Sequence, residues 1–529
     1  MHKTSLLVFC LFLFGLTRAV CADTVRFQIP KEPRKISPYI YGLGTYLHED
    51  RDQEGVWELR PTLYRWGGNT SSRFNYKLDA WNAAGDWFFR NFKAQRPNMI
   101  GRFMEENRRN GAASAITLPM LPWIAKDGAT ASYPRSKFPQ QQHFDGDAGN
   151  GRAPDGKPLL ADPTTTSIPN SPEFVAEWVR TLKGQFGNHP HFYIMDNEPM
   201  LWNSTHRDVH PLPLRYDDYF ARYVSFAQAV RKADPEAVII GPAAWGWLEM
   251  QLSAWDIEGP HSKGRKRTDR LAHGDKPFLQ WFLDELKKKE QELKVSLLDQ
   301  LDVHNYPEKD SWPPGGDEAP ARRKALLQST RSLWDRDYRD QSWINEKIYL
   351  IPRLKEMAEN FKKGTKVAIG EYNYRAERDV SGAVAQAEIL GIFAQTGLDS
   401  AQYWDFPKRG NSHRWAFILF RNYDGKGRGF GDEWIENSVQ SQEELSVYAA
   451  RQAKDKRITI VLLNKSVDKE QSLQLDLAGL PVPKKLELYS FVSEKLDGVI
   501  VRKQRTLPPG KQTTLSLSPL SMHLVELNY

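Results

Sequence analysis

Two glutamates sit in contexts suited to paired acid chemistry: Glu198 within Asp196-Asn197-Glu198-Pro199, and Glu371 within Gly370-Glu371-Tyr372-Asn373. Each motif lies at the end of a short β-rich run. A single Glu at such a place is more often a rim ion pair, but two carboxylates held about 5 to 5.5 Å apart are what retaining glycoside hydrolysis requires, one attacking the anomeric carbon and the other serving the leaving oxygen. Asn197 beside Glu198 offers an amide to a sugar 2-hydroxyl, a contact that strengthens as positive charge develops on the ring. That neighbour assigns Glu198 as acid/base and Glu371 as nucleophile. Arg65 either keeps Glu371 ionised through a charge-assisted hydrogen bond or forms a purely structural pair. Aromatic residues surround these positions. Tyr306 follows His304-Asn305, and Trp404, in Tyr403-Trp404-Asp405-Phe406, is placed to floor the subsite where the bond breaks. Trp66, Trp123, Trp202, Trp245 and Trp247 fall at or just past other strand ends, where each would either line a cleft by stacking on glucose faces or serve as core.

These residues need a scaffold that brings distant segments to one rim. Eight β-rich runs end in Gly, Pro or polar residues, each with room for a helix after it: Tyr39 to Gly44, Leu63 to Asn69, Ala113 to Met120, Phe192 to Asn197, Ala237 to Ala243, Leu298 to Tyr306, Lys366 to Tyr372 and Ser400 to Phe406. Strand followed by helix, repeated, argues for a parallel sheet, and eight units predict a TIM barrel whose active site forms at the carboxyl ends of the strands. Helical patterns are expected over Glu173 to Phe186, with Ser171 as cap and Pro172 in the first turn, and over Arg215 to Ala233, Pro277 to Leu293, Ala319 to Trp334, Ile344 to Asn360 and Gly382 to Thr396. Insertions at 125–170 and 246–276, the second carrying Lys263, Arg265 and Lys266, are expected on the catalytic face.

From about Ser446 short alternating runs replace helices, which reads as an antiparallel sandwich that the alternating segment Thr24 to Ile29 could join. The expected organisation is a signal peptide at 1–22, an N-terminal strand segment at 23–35, the barrel at 36–440 and the sandwich at 441–529. The signal reading rests on Lys3, the apolar run Leu6 to Leu16 and small residues up to Ala22, a run too short to anchor in a membrane. It predicts a secreted, extracellular or periplasmic protein without a membrane attachment. Cleavage removes Lys3, Arg18 and both cysteines, leaving 71 basic and 66 acidic residues, so thiolate, disulfide and cysteine-metal chemistry are excluded from the mature chain.

The 529 residues carry 17 Trp, 20 Tyr and 25 Phe, more flat ring surface than a core requires, which points to a stacking ligand such as a sugar or nucleobase. The net charge of +7 is spread along the chain rather than gathered in a stripe, so nucleic acid is not favoured as a partner.

Several blocks resemble glycoside hydrolase family 44. They are Arg65-Trp66-Gly67-Gly68-Asn69 with Ser71 to Tyr76, Asp79 and Asn82 to Trp87; the long block Asp196 to Pro211; Asp302 to Tyr306; Gly370 to Asn373; Tyr403-Trp404; and Arg421 to Gly427. The resemblance covers nearly all of the mature chain. It implies a (β/α)8 barrel with a β-sandwich built from both termini, and a retaining endo-acting enzyme on β-1,4-glucans such as soluble cellulose derivatives, mixed-linkage glucan and xyloglucan. It also implies Glu198 as acid/base and Glu371 as nucleophile. Together with the residues above, its motifs nominate Asn69, Asn197, Arg65, Trp66, Trp123, Trp202, His304, Tyr306, Tyr372 and Trp404 for substrate binding. Members of the family can carry a structural calcium, but Asp145-Gly146-Asp147 with Asp155 and Asp162 lacks a recognisable ligand spacing and reads as a solvated loop. The 12 His form no HExxH pair for zinc, and no cofactor is expected to be required for catalysis. A monomer is expected. The alternatives are the same chemistry on xylan, mannan or an arabinofuranoside, and a non-catalytic polysaccharide-binding protein, which would have to lack one of the two carboxylates.

Overall fold

The computed structural model describes residues 23–46, 54–187, 191–259, 266–309, 312–439 and 443–529; the expected signal at 1–22, Lys263 and Arg265 lie outside them. Eight parallel strands close a barrel: β1 (Gly42–Thr45), β2 (Leu63–Trp66), β3 (Ala113–Leu118), β4 (His191–Met195), β5 (Val238–Ala244), β6 (Gln300–Asn305), β7 (Lys366–Tyr372) and β8 (Ser400–Tyr403). Neighbours in sequence are neighbours in space, and β8 pairs with β1 to complete the circle. All eight expected runs overlap a barrel strand. β4 and β8 stop short of Glu198 and Trp404, which project from the loops just past them, whereas Arg65, His304 and Glu371 lie within β2, β6 and β7.

Ser171 caps the helix Pro172–Phe186 by accepting the N–H of Phe174, 3.2 Å away. The expected helix at Ile344 begins only at Leu350. Asp340 explains the delay: its carboxylate accepts the backbone N–H of Ser342 at 2.9 Å, and the Ser342 hydroxyl as well, folding the preceding segment into a turn. Pro352 then falls in the helix's first turn, where its missing N–H costs nothing.

The second sheet has nine strands, and its course corrects the expected boundary at 441. Glu433–Asn437 belongs to this sheet, pairing antiparallel with both Leu445–Gln452 and the N-terminal strand Asp23–Gln28. Asp23–Gln28 in turn runs parallel to Gln471–Asp476. Leu507 and Leu515 lie on the two edge strands yet share one hydrophobic cluster with Val25, Ile435, Leu462 and Val525, so the sheet curls around its own core.

The helix Val380–Thr396 joins barrel and sheet. It is buried over nearly its whole surface, as its all-round apolar sequence demands. Gly391 has no Cβ because Tyr448 of the curled sheet occupies that space, 2.2 Å from where a Cβ would lie. Glu388 on the same helix is fully buried and accepts from Lys465 Nζ at 2.8 Å and Ser446 Oγ at 3.0 Å, both on the sheet side. Lys465→Ala leaves that carboxylate without its cation and is expected to cost about 3–5 kcal/mol. Urea unfolding measures this, and a loss below about 1 kcal/mol would show the pair to be dispensable.

Candidate active site

Side chains alternate between the inside and outside of a barrel strand, and this parity sorts the β2 and β7 candidates. Arg65 and Glu371 point inward and meet. Trp66 and Tyr372, each the next residue along, point outward into the helices: Trp66 packs on Phe74 and Trp178, and Tyr372 on Phe393 with its hydroxyl bonded to Gln386. Both are 1% exposed and cannot touch a sugar, which corrects their nomination as binding residues. Trp202, fully buried against His210, is likewise core. Trp123 lies in the short strand Trp123–Ala125, paired with Ser167–Pro169, and lines neither stretch of the cleft described below.

At the barrel mouth Arg65 organises three partners. Its Nη1 donates to Glu371 Oε1 at 2.7 Å and to the Gly370 carbonyl at 2.8 Å, and its Nη2 donates to Asn197 Oδ1 at 2.7 Å. Tyr306 donates its hydroxyl to the other oxygen of Glu371 at 2.8 Å. Both carboxylate oxygens are therefore tied, and the plane of the group is fixed. His304 lies below, with Nε2 3.4 Å from Arg65 Nη1 and Nδ1 2.7 Å from Glu198 Oε1. Arginine only donates, so Nε2 accepts and Nδ1 carries the ring hydrogen toward Glu198. Burial holds this imidazole neutral by pushing its pKa down, with Glu371 acting in the opposite sense. Because Oε1 of Glu198 is occupied by that N–H, Oε2 is left to carry a transferable proton.

Glu198 is aimed by a strained turn. Asp196 and Glu198 both adopt left-handed backbone, with φ of 68° and 45°. Such conformations cost about 1–3 kcal/mol each and persist only where the surroundings impose them. The Asp196 carboxylate supplies that support, accepting from Ser72 Oγ, from Asn197 N at 2.7 Å, and from the backbone N–H groups of Met120 and Leu121. Burial pushes the Glu198 carboxyl up to about 7, opposed by Arg65 and assisted by Asp86. Its side chain keeps 15% exposure, against 6% for Glu371, so it opens to the cleft.

One oxygen of Glu198, one of Glu371 and a nitrogen of His304 lie within 4.8 Å of one another. Among the described residues this is the one such cluster of three groups able to ligate a metal ion, and the Arg65 guanidinium already bonded to Glu371 makes it a poor cation site. The acidic residues weighed for calcium are engaged separately. Asp145 accepts from Trp87 Nε1 at 3.0 Å, Asp147 from the Arg135 N–H at 3.1 Å, Asp155 pairs with Lys157 at 2.7 Å and Asp162 caps the turn at Thr164.

The cleft runs in two stretches that meet at Glu198 and Tyr306. The larger, of about 760 Å³, is lined by Tyr46, Asn69, Trp81, Asp86, Trp87 and Phe92, with Asn197, Glu371 and Trp404 at its catalytic end. The smaller, of about 240 Å³, holds Trp245, Trp247, His304 and Tyr374. Trp404 lies against Gly44 and Gly68; a Cβ on either would fall within 2.8 Å of its indole, so both glycines are needed for the ring to lie flat. The wall of the larger stretch comes from residues 67–98, where the hairpin of Ala80–Asn82 and Asn91–Lys93 presents Trp81 and Phe92. The 125–170 insertion contacts this wall through the Asp145 bond to Trp87 but supplies none of the cleft-lining residues named above. The 246–276 insertion does reach the smaller stretch, through Gly246, Trp247 and Met250.

The sequence model of glycoside hydrolase family 44 matches residues 80–309. A bifunctional glucanase-xylanase from a metagenome library is 31% identical and superposes with a TM-score of 0.88, covering 96% of this chain and 99% of that one. The chain belongs to glycoside hydrolase family 44. Similar as well are a family 44 xyloglucanase of Paenibacillus polymyxa, whose structure contains xyloglucan (27% identity, TM-score 0.77, 96% of this chain and 99% of that one), and endoglucanase A of Paenibacillus lautus (29% over 537 residues, 96% of this chain and 73% of that protein). As a family 44 member it is a glycoside hydrolase, and the Glu198–Glu371 cluster at the barrel mouth is its candidate catalytic centre.

Proposed function

We propose that this family 44 enzyme is a retaining, endo-acting hydrolase of β-1,4-glucan backbones in which Glu371 is the nucleophile and Glu198 the acid/base. The observation that carries the reading is the approach of the two carboxylates to within 4.8 Å, the close spacing of retaining rather than inverting hydrolases. Glu371, tied by Arg65 and Tyr306, attacks the anomeric carbon while Glu198 Oε2 protonates the departing oxygen. Glu198, now a base, then takes a proton from the water that releases the sugar. The position of the pair between two stretches of cleft supports internal cleavage, since a chain lying across it extends both ways. Tyr46, Trp81, Trp87, Phe92 and Trp404 on one side, with Trp245 and Trp247 on the other, suit the flat apolar faces of β-glucose units.

Residues 1–22 support export to the periplasm or medium, and among the described residues no helix is long and apolar enough to cross a membrane. A digestion panel of xyloglucan, carboxymethyl cellulose, lichenan, xylan and mannan tests the substrate. The β-glucans should lose viscosity before reducing ends accumulate, and faster cleavage of xylan or mannan would overturn the assignment.

A pH profile follows from Glu198. The acid works only while protonated, and burial holds its pKa up to about 7, so kcat/KM should fall as pH rises through about 7. A plateau persisting to pH 9 would remove Glu198 from the acid role.

A further inference from the structure

Asn69 and Asp86 line the cleft beside the catalytic pair, and no step derived so far uses them. They belong to a hydrogen-bond chain whose direction is fixed at both ends. Arg65 can only donate, so the amide oxygen of Asn197 must face it, at 2.7 Å. The Asn197 nitrogen is thereby turned the other way, where it donates to Asn69 Oδ1 at 3.2 Å. With its oxygen accepting, Asn69 has only its nitrogen left for the next link. That nitrogen donates to both oxygens of Asp86, at 3.2 and 3.1 Å, and an ionised carboxylate can only accept. A flip of either amide would set donor against donor at Arg65 or acceptor against acceptor at Asp86. The same Arg65 holds Glu371, so one guanidinium orients the nucleophile and anchors the chain.

We propose that Asp86 is a positioning residue of this active site, acting through Asn69 to lock the Asn197 amide with its nitrogen toward the cleft. The second N–H of Asn197 is then presented to the 2-hydroxyl oxygen of the sugar being attacked. Asp86 comes from the 67–98 insertion, so the wall that binds substrate also sets the orientation of a catalytic-centre amide. Its charge reaches Glu198 as well, which is faced in addition by Arg65 from β2, His304 and Tyr306 from β6 and its end, Glu371 from β7 and the buried Glu249 after β5.

The inference rests on the proposed β-glucanase reading, and a double-mutant cycle separates the two. Initial rates on carboxymethyl cellulose are compared for wild type, Asp86→Ala, Asn197→Ala and the double variant, with Asp86→Asn as the conservative control. Asp86→Ala should lower kcat about tenfold with KM within about twofold, because a loosened amide is felt in the transition state rather than in binding. In the Asn197→Ala background the same change should cost less than about twofold, since Asp86 acts through that amide. Asp86→Asn keeps one acceptor for Asn69 and should recover kcat to within about threefold of wild type. By removing a negative charge that raises Glu198, it should also move the alkaline limb to lower pH. Losses that multiply independently in the double variant, or an Asp86→Ala effect confined to KM, would mean that Asp86 touches the sugar directly and would overturn this inference alone. A wild type inactive on the glucan would overturn the function reading and this inference with it.

Discussion

Glu371→Gln is expected to reduce turnover by on the order of 10⁴-fold or more, the scale seen when a covalent nucleophile is removed from an otherwise intact site. The amide nearly matches the carboxylate in shape, so substrate binding should survive. It cannot attack, and its NH2 would face the donors Arg65 or Tyr306 where Glu371 offers an acceptor at 2.7 and 2.8 Å. The variant should therefore hold soluble glucan oligosaccharides with near wild-type affinity by calorimetry while failing to cleave them. Retention of more than about a hundredth of wild-type kcat would take Glu371 out of the nucleophile role.

Glu198→Ala separates two steps that the wild type couples. Glycan cleavage should fall by about 100- to 10,000-fold, or roughly 3 to 5 kcal/mol of barrier, the usual worth of general acid/base assistance. An aryl glycoside with a good leaving group needs little protonation and should still load Glu371. Deglycosylation then stalls for want of a base, and azide, which attacks without losing a proton, should restore turnover and release a β-glycosyl azide. Rescue of Glu371→Ala with an α-product, and none for Glu198→Ala, would reverse the two roles.

The two glutamates were legible in the sequence because barrel chemistry collects at strand ends, and the eight strand runs are apolar segments punctuated by Gly, Pro and Asn. Arg65 was legible as a partner of Glu371, although its other side-chain partners, Asn197 and His304, follow only from three strands meeting at one rim. Counting Trp and Tyr failed at Trp66 and Tyr372. Strand parity, already implied by placing Arg65 and Glu371 inward, would have sent both outward into the helix layer. Trp202 carried no such signal, since it lies in a short helix whose orientation depends on the strained turn at Glu198. The cleft wall built from Trp81, Asp86, Trp87 and Phe92 was hidden for a different reason: residues 67–98 fold as 3-10 turns and a two-residue-period hairpin too short to show periodicity, while 125–170 drew attention by its composition. Glu433–Asn437 escaped because a five-residue strand with two buried members, Trp434 and Ile435, has no repeat to read. Its place in the sheet is set by its pairing with two segments far apart in sequence, Asp23–Gln28 and Leu445–Gln452.

The direct test of double displacement by this close pair of carboxylates is proton NMR of the anomeric signals in the first minutes of glucan hydrolysis, before mutarotation. A retaining mechanism with Glu371 as nucleophile predicts that the β-anomer of the new reducing end appears first and the α-anomer grows in later. Initial release of the α-anomer would mean a single displacement by water and would contradict the account.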